Sequence, residues 1–259
     1  GTYSSQDRLW TTTGLYANPA IQNPVEMAEK AEALNTRMRL LGNFYAQYEL
    51  VEGLVAKTTF GTYLTNGRNR SYLPSYFVNS RTTGGSGSVS SSELFNWVNE
   101  NTLTYKKSID DRHNLEVLGG FTMQRESEES LSATSYDYFT DVLGFYNLGL
   151  GEDPQYPSTG YSRWSMVSFL GRVNYDFDSR YLFTVSARYD GSSRFGKNNR
   201  FGFFPSAAVA WNIKNEEFLK PITWLSELKL RSSIGVTGNQ SIPLYRNLQT
   251  YGLGSPYSF

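Results

Sequence analysis

Between Trp164 and Trp211 the chain alternates apolar and polar positions through three consecutive segments. Val167, Phe169, Gly171, Val173, Tyr175 and Phe177 share one face, opposite Ser168, Arg172, Asn174 and Asp176. After a tight turn at Asp178-Ser179, Tyr181, Phe183, Val185, Ala187 and Tyr189 continue it, and beyond a Gly/Ser/Asn loop Phe203, Pro205, Ala207, Val209, Trp211 and Ile213 repeat it. Those apolar faces hold no Asp, Glu, Lys or Arg, whereas the opposite faces keep theirs. An Arg or Lys at the bilayer midplane costs roughly 2–4 kcal/mol, and a strand crossing a bilayer at a tilt needs about 9–11 residues. Soluble sandwiches also segregate their faces, but on strands of typically about 5–6 residues. The pattern predicts a membrane β-barrel wall.

The same reading extends along the chain. Residues 1–36 are mostly irregular, with a short helix over 24–34 that Asn23 caps and Pro24 opens. Strands are expected at 38–50, 54–64, 93–107 and 113–125, then the three described above, then one carrying Leu228, Leu230, Ile234 and Val236 opposite Lys229 and Arg231. That places eight strands in 37–237, with a loop over 238–259. Residues 215–226 read as a connector of helical character, with Phe218, Leu219 and Trp224 suited to a membrane interface. Short connections alternate with the long polar stretches 65–92 and 126–163. In an up-and-down barrel this asymmetry marks short periplasmic turns and long extracellular loops. The fold class is therefore all-β, an antiparallel up-and-down transmembrane β-barrel segment of about eight strands from a larger barrel.

Composition narrows the function. Aromatics reach 15% while apolar residues stop at 39%, as suits a barrel with a polar lumen and aromatic rims. No run of about 18 apolar residues offers a transmembrane helix. Lys+Arg and Asp+Glu balance at 24 each, which gives no support for a nucleic-acid partner. With no cysteine there is neither a disulfide framework nor a thiolate metal site. The chain starts at Gly1 without a signal-peptide pattern, so either a signal has been removed or the chain is an excerpt of a longer protein, and the abrupt end at Tyr257-Ser258-Phe259 favours the excerpt.

Catalytic chemistry finds little footing. His113 is the one histidine, placed beside the Asp110-Asp111-Arg112 turn with no partner at a useful spacing, and reads as a solvated or interfacial residue. No HExxH, Walker-type glycine loop or EF-hand is present, so neither a metal nor a cofactor is expected. Asp190-Gly-Ser-Ser-Arg-Phe-Gly196 lacks the following helix of a phosphate cradle. It reads as a tight loop in which Gly191 and Gly196 take unusual backbone angles and Arg194 or Arg200 bridges to neighbouring loops, with ligand contact as the alternative. Lumen-side Arg172, Asp176, Arg188 and Lys229 read as a lattice of ion pairs and hydrogen bonds. The candidate substrate-binding residues are Tyr136, Asp137, Tyr138, Asp141, Tyr146 and Tyr156 in the stretch 126–163, because aromatic faces match sugar faces and carboxylates bond sugar hydroxyls. A plain solvated loop is the competing reading.

Phe169-Leu-Gly-Arg-Val-Asn-Tyr175, Tyr181-Leu-Phe-Thr-Val-Ser-Ala-Arg-Tyr-Asp-Gly-Ser-Ser-Arg-Phe-Gly196, Phe204-Pro-Ser-Ala-Ala-Val-Ala-Trp211 and Leu228-Lys-Leu-Arg-Ser-Ser-Ile-Gly-Val-Thr-Gly-Asn-Gln240 resemble, in that order, the barrel of SusC/RagA-type TonB-dependent outer-membrane transporters. Leu41 to Leu50 resembles it more loosely, and the resemblance spans roughly 35–245. It implies a barrel of about 22 strands with a plugged lumen, whose plug domain and TonB-contacting segment have no counterpart here. It implies import of oligosaccharides or peptides across the outer membrane of a Gram-negative bacterium, energised through TonB, beside a SusD-like surface lipoprotein and without enzymatic chemistry. A passive porin and a soluble carbohydrate-binding β-sandwich are the alternatives.

Overall fold

The computed structural model describes residues 3–4, 9–10, 24–80, 82–110 and 112–245. Its strands are β1 (Tyr3–Ser4), β2 (Leu9–Trp10), β3 (Glu32–Val51), β4 (Leu54–Leu73), β5 (Ser86–Ile109), β6 (His113–Tyr138), β7 (Gly151–Pro154), β8 (Ser158–Phe177), β9 (Tyr181–Ser192), β10 (Phe201–Asn212) and β11 (Lys229–Gly235), with one helix, α1 (Pro24–Lys30). The main sheet runs β11-β10-β9-β8-β6-β5-β4-β3, in chain order apart from the short β7, which pairs with β6. This is the expected meander. A sandwich would divide its strands between two face-packed sheets, so the soluble-sandwich alternative falls on topology. The helix is shorter than expected: Glu26 and Lys30 suit its two ends, but from Glu32 onward the residues join the sheet. Residues 238–245 of the expected final loop are described, and those beyond 245 lie outside the described residues.

Two compact units can be distinguished, residues 41–63, 96–127 and 163–259 in one, and residues 1–40, 64–95 and 128–162 in the other. In the first, strand register sets the faces. Val173 lies opposite Val185, Val185 opposite Ala207 and Ala207 opposite Ile234. A second row runs Phe177, Tyr181, Trp211, Leu230. Tyr181 and Trp211 stack at 6.4 Å, and Phe121 packs on Phe169 at 5.0 Å. Directly opposed apolar side chains are the pairwise unit of sheet stabilisation, yet this apolar face is the exposed one. Val185 is 59% exposed, while Ser168 on the other face is 3% exposed.

The polar face carries the lattice expected there, through partly different residues. Glu116 accepts from Asn174 (3.1 Å) and pairs with Lys106 (3.0 Å), and Thr184 donates to Asn174 (2.9 Å). Arg188 pairs with Asp190 at 2.7 Å, whereas Asp176 Oδ1 is buried without a partner and Arg172 and Lys229 make no ion pair among the described residues. His113, read as solvated or interfacial, is half-buried: its Nδ1 lies 2.6 Å from the Tyr175 hydroxyl, and its ring packs on Phe177.

The turn end of this unit is tied by one hub. Asp178 and Ser179 take left-handed backbone angles, as a tight hairpin requires. Arg180 pairs with Asp178 and, at 3.0 Å, with Glu216, whose other oxygen accepts from Tyr181 (2.7 Å) and Trp211 (2.9 Å). The expected helical connector is instead two 3-10 turns, Ile213–Asn215 and Glu217–Leu219, which bring Glu216 to this hub and leave Phe218 and Trp224 exposed. The Arg180 hydrogen bond holds the Asp178 carboxyl below its ordinary range, and the hydrogen bonds from Tyr181 and Trp211, with Arg180, do the same for Glu216. Groups with depressed folded pKa values stabilise fully above the unfolded value, near pH 4, and lose that contribution as pH falls through the folded one. Glu216→Gln is therefore expected to flatten the fall of the thermal midpoint between about pH 5 and pH 3. An unchanged acid limb would show that the hub does not contribute to it.

In the other unit the strands correct the expected loop boundaries. β4 continues to Leu73, β5 begins at Ser86, β6 runs on to Tyr138 and β8 begins at Ser158. The stretches 65–92 and 126–163 are thus largely strand. β5 and β6 hold 24 and 26 residues; at about 3.3 Å per residue they far exceed an apolar band about 25 Å tall. Beyond that band a strand has no apolar face to maintain, so its alternation disappears while its hydrogen-bonded ladder continues.

Candidate functional site

With the strands extended, the connections that remain are 74–85 and 139–157. Each is built on its own fixed points. In the first, Phe77 is fully buried, and the Ser80 hydroxyl donates to the carbonyls of Pro74 and Phe77. Thr83 and Gly84 accept at 2.8 Å from the backbone N–H groups of Asp137 and Tyr138, so this connection is stitched to the end of β6. Gly84 and Asp137 both take positive φ there, 62° and 60°. A Cβ on Gly84 would overlap the Asp137 carboxylate, so the position admits only glycine.

The second connection folds back on the first. Asp141 Oδ1 accepts from the Tyr72 hydroxyl (2.6 Å) and the Ser75 N–H (3.0 Å), and Oδ2 accepts from the Ser75 hydroxyl (3.0 Å). Beneath this knot Tyr72, Tyr138 and Phe145 form a small core with Val89 and Leu150 against it, Tyr72 and Tyr138 meeting edge to face at 5.0 Å. β7 then adds to β6 with Tyr136 opposite Asp153 and Tyr138 opposite Gly151. Partial burial, with Glu26 and Asp141 nearby, pushes the Tyr76 hydroxyl above its ordinary pKa.

The structure sorts the six candidate residues. Asp141 and Tyr138 are committed to the knot and its core. Tyr136 and Asp137 lie in β6 itself rather than in a loop, Tyr136 half-buried and Asp137 exposed. Tyr146 and Tyr156 lie at the surface, 73% and 101% exposed, Tyr146 with its ring against Phe145 at 4.6 Å. Phe139, Val142 and Leu143 stand exposed in the same connection as Tyr146, a set that reading the stretch as a Tyr/Asp-rich loop missed. The run Phe139-Thr-Asp-Val-Leu143 signals it in sequence: apolar residues flank an aspartate that cannot itself be apolar core. Tyr72 and Ser75 were also missed, because their role exists only through Asp141, 66 or more residues away.

In the 41–63/96–127/163–259 unit, Arg194 bridges as expected, donating to the Ile242 carbonyl at 3.0 Å and lying over the Trp164 ring at 4.7 Å. Unusual backbone angles were expected of Gly191 and Gly196, but neither takes a positive φ. Gly191 is needed instead because the Phe201 ring lies where its Cβ would be. Among the described residues no cluster of three or more His, Cys, Asp or Glu is placed to hold a metal, and no helix is long and apolar enough to cross a membrane.

No family model matches the chain. Over 231 residues it is 38% identical to TonB-dependent receptor P3 of Formosa agariphila, a match covering 89% of this chain and 23% of that protein. It is 56% identical over 81 residues to TonB-dependent receptor SusC of Bacteroides thetaiotaomicron, 31% of this chain and 8% of that one. Among solved structures, a chain of the RagAB peptide transporter superimposes with a TM-score of 0.78 at 30% identity, covering 85% of this chain and 24% of its own length. The chain spans about a quarter of the length of the P3 receptor and of the RagAB chain. Sequence order, sheet topology and these likenesses agree, and the chain belongs to the SusC/RagA-type TonB-dependent receptors as a stretch of their barrel.

Proposed function

We propose that this chain forms part of the wall and rim of a single outer-membrane barrel domain that imports oligosaccharides or peptides with energy delivered through TonB. The observation that carries the reading is the inverted sheet: a charge-free apolar face left open, at rows such as Val173, Val185, Ala207 and Ile234, with a hydrogen-bonded polar face behind it. Water penalises such a face and a bilayer rewards it. In this reading the lipid lies against that face, and the connections 74–85 and 139–157 face the outside of a Gram-negative cell.

The same reading assigns the exposed Phe139, Val142, Leu143 and Tyr146 to contact with a SusD-like surface lipoprotein, and Tyr156, with Tyr136 and Asp137 at the rim, to the glycan or peptide. Apolar side chains on a firmly tied loop suit protein docking, because little conformational entropy remains to be lost on binding. Energy enters through other parts of the transporter, and the chain carries out no covalent chemistry.

Replacing Phe139, Val142, Leu143 and Tyr146 by serine in the complete transporter tests this. Asp141, the buried Phe145 and β7 are retained, so the barrel should insert normally while lipoprotein association and uptake both fall. Normal association and uptake would remove the role given to this loop. Uptake that persists after the proton gradient is collapsed would mark a passive porin instead.

A further inference from the structure

On the polar face, β9, β10, the loop after β9 and residues 236–240 enclose a cavity of about 440 Å³. Phe195 and Phe204 supply apolar lining. The Phe204 ring is seated between Gly202 and Gly238; a Cβ at Gly202 would come within 2.7 Å of it, and one at Gly238 would overlap it. Those glycines therefore shape the cavity rather than a turn.

The polar lining is incomplete in two complementary ways. Arg188 and Asp190 satisfy each other, Nε to Oδ1 at 2.7 Å, and Arg188 also donates to the Ser168 hydroxyl at 3.2 Å. Arg200 lines the same cavity, is exposed and makes no ion pair among the described residues, which leaves the lining with one positive charge in excess. Gln240 Oε1 is buried in the wall with no donor, although its own backbone carbonyl accepts from Ile242. A buried acceptor without a donor is costly unless a ligand supplies one.

We propose that this cavity binds an anionic sugar unit of an oligosaccharide. Arg200 takes the carboxylate or sulfate, a ring hydroxyl donates to Gln240 Oε1, and an apolar ring face lies toward Phe195 and Phe204. An apolar solute meets neither polar demand, and a neutral sugar meets only the second. The guanidinium fork favours a planar or multi-oxygen anion over a point charge. The assignment rests on the import reading above and narrows its substrate class.

Calorimetric titration of the complete, detergent-solubilised transporter distinguishes the sources of charge. The probes are hexagalacturonate, a sulfated neutral-sugar hexamer, its unsulfated parent and hexaglutamate. At least one anionic saccharide should bind roughly tenfold or more tightly than the unsulfated parent, a gap of about one charge-assisted hydrogen bond. Arg200→Gln should erase that gap, and Arg200→Lys should restore part of it. Because Arg200 is exposed, neither variant disturbs packing. Equal affinity for charged and uncharged hexamers, an unaltered gap in Arg200→Gln, or tighter binding of hexaglutamate would each overturn the proposal. TonB-dependent uptake of some other solute would then leave the import reading standing. Anionic-sugar binding without any energy-dependent uptake would do the reverse.

Discussion

Val185→Arg is expected to abolish most membrane assembly of the complete protein, whereas Ser186→Arg should be tolerated. The two residues are neighbours in β9 but face opposite sides. Val185 stands between Val173 and Ala207 on the open apolar face. An Arg there meets hydrocarbon at a cost of about 2–4 kcal/mol if it lies near the bilayer midplane, less toward the edges. That is a large part of a typical folding free energy of about 5–15 kcal/mol. Ser186 instead exchanges a hydrogen bond with Ser206 at 2.7 Å on the polar face; losing it costs about 0.5–1.5 kcal/mol, and the new guanidinium remains among polar partners. Heat-modifiable migration of outer-membrane fractions reads the folded barrel directly. Equal yields of folded protein from the two variants would reverse or void the face assignment, because a one-residue slip of register exchanges the faces entirely.

The second large effect is expected at Asp141. Asp141→Ala removes three accepted hydrogen bonds at once and strands the Tyr72 hydroxyl and both donors of Ser75. Hydrogen bonds to a charged group contribute about 1.5–3 kcal/mol each, and not additively. The expected result is local: faster hydrogen exchange and protease cleavage within 139–150 and 74–80, with β8–β10 unchanged. Asp141→Asn keeps one acceptor oxygen and should show a smaller effect. If exchange in both connections matches the parent protein, the knot does not hold them. A rise spread evenly over the whole sheet would mean that Asp141 acts on global stability instead.

Much of the wall was legible along the chain because its cause is local and periodic. Facing depends on every second residue, so Phe169, Val173, Phe183 and Val209 could be assigned to one surface before any pairing was known. Sequential pairing followed from short turns such as that at Asp178-Ser179. Legibility failed where the solvent stops discriminating. In 65–73 and 126–138 the strands carry no sustained alternation, and the apolar partners of Tyr72 and Tyr138 come from distant segments, so nothing in the residue pattern separates ladder from loop.

The candidate site was legible by residue type but not by role. Tyr and Asp concentrate in 136–156, yet the same two side-chain types serve opposite ends there: Tyr138 and Asp141 hold the structure while Tyr146 and Tyr156 are exposed. Glu216 is a parallel case, an unremarked acid in a connector that becomes the hub for Arg180, Tyr181 and Trp211.

By itself, then, the sequence determined the all-β class, the strand order and the two faces of the wall, since these follow from a period of two and from which residues a bilayer tolerates. Only the tertiary structure decided how far the strands run, which tyrosines are core, and that Arg200 and Gln240 meet across one cavity. Those outcomes depend on partners far apart in the chain, and a hydrogen bond or a void between distant residues leaves no period to read.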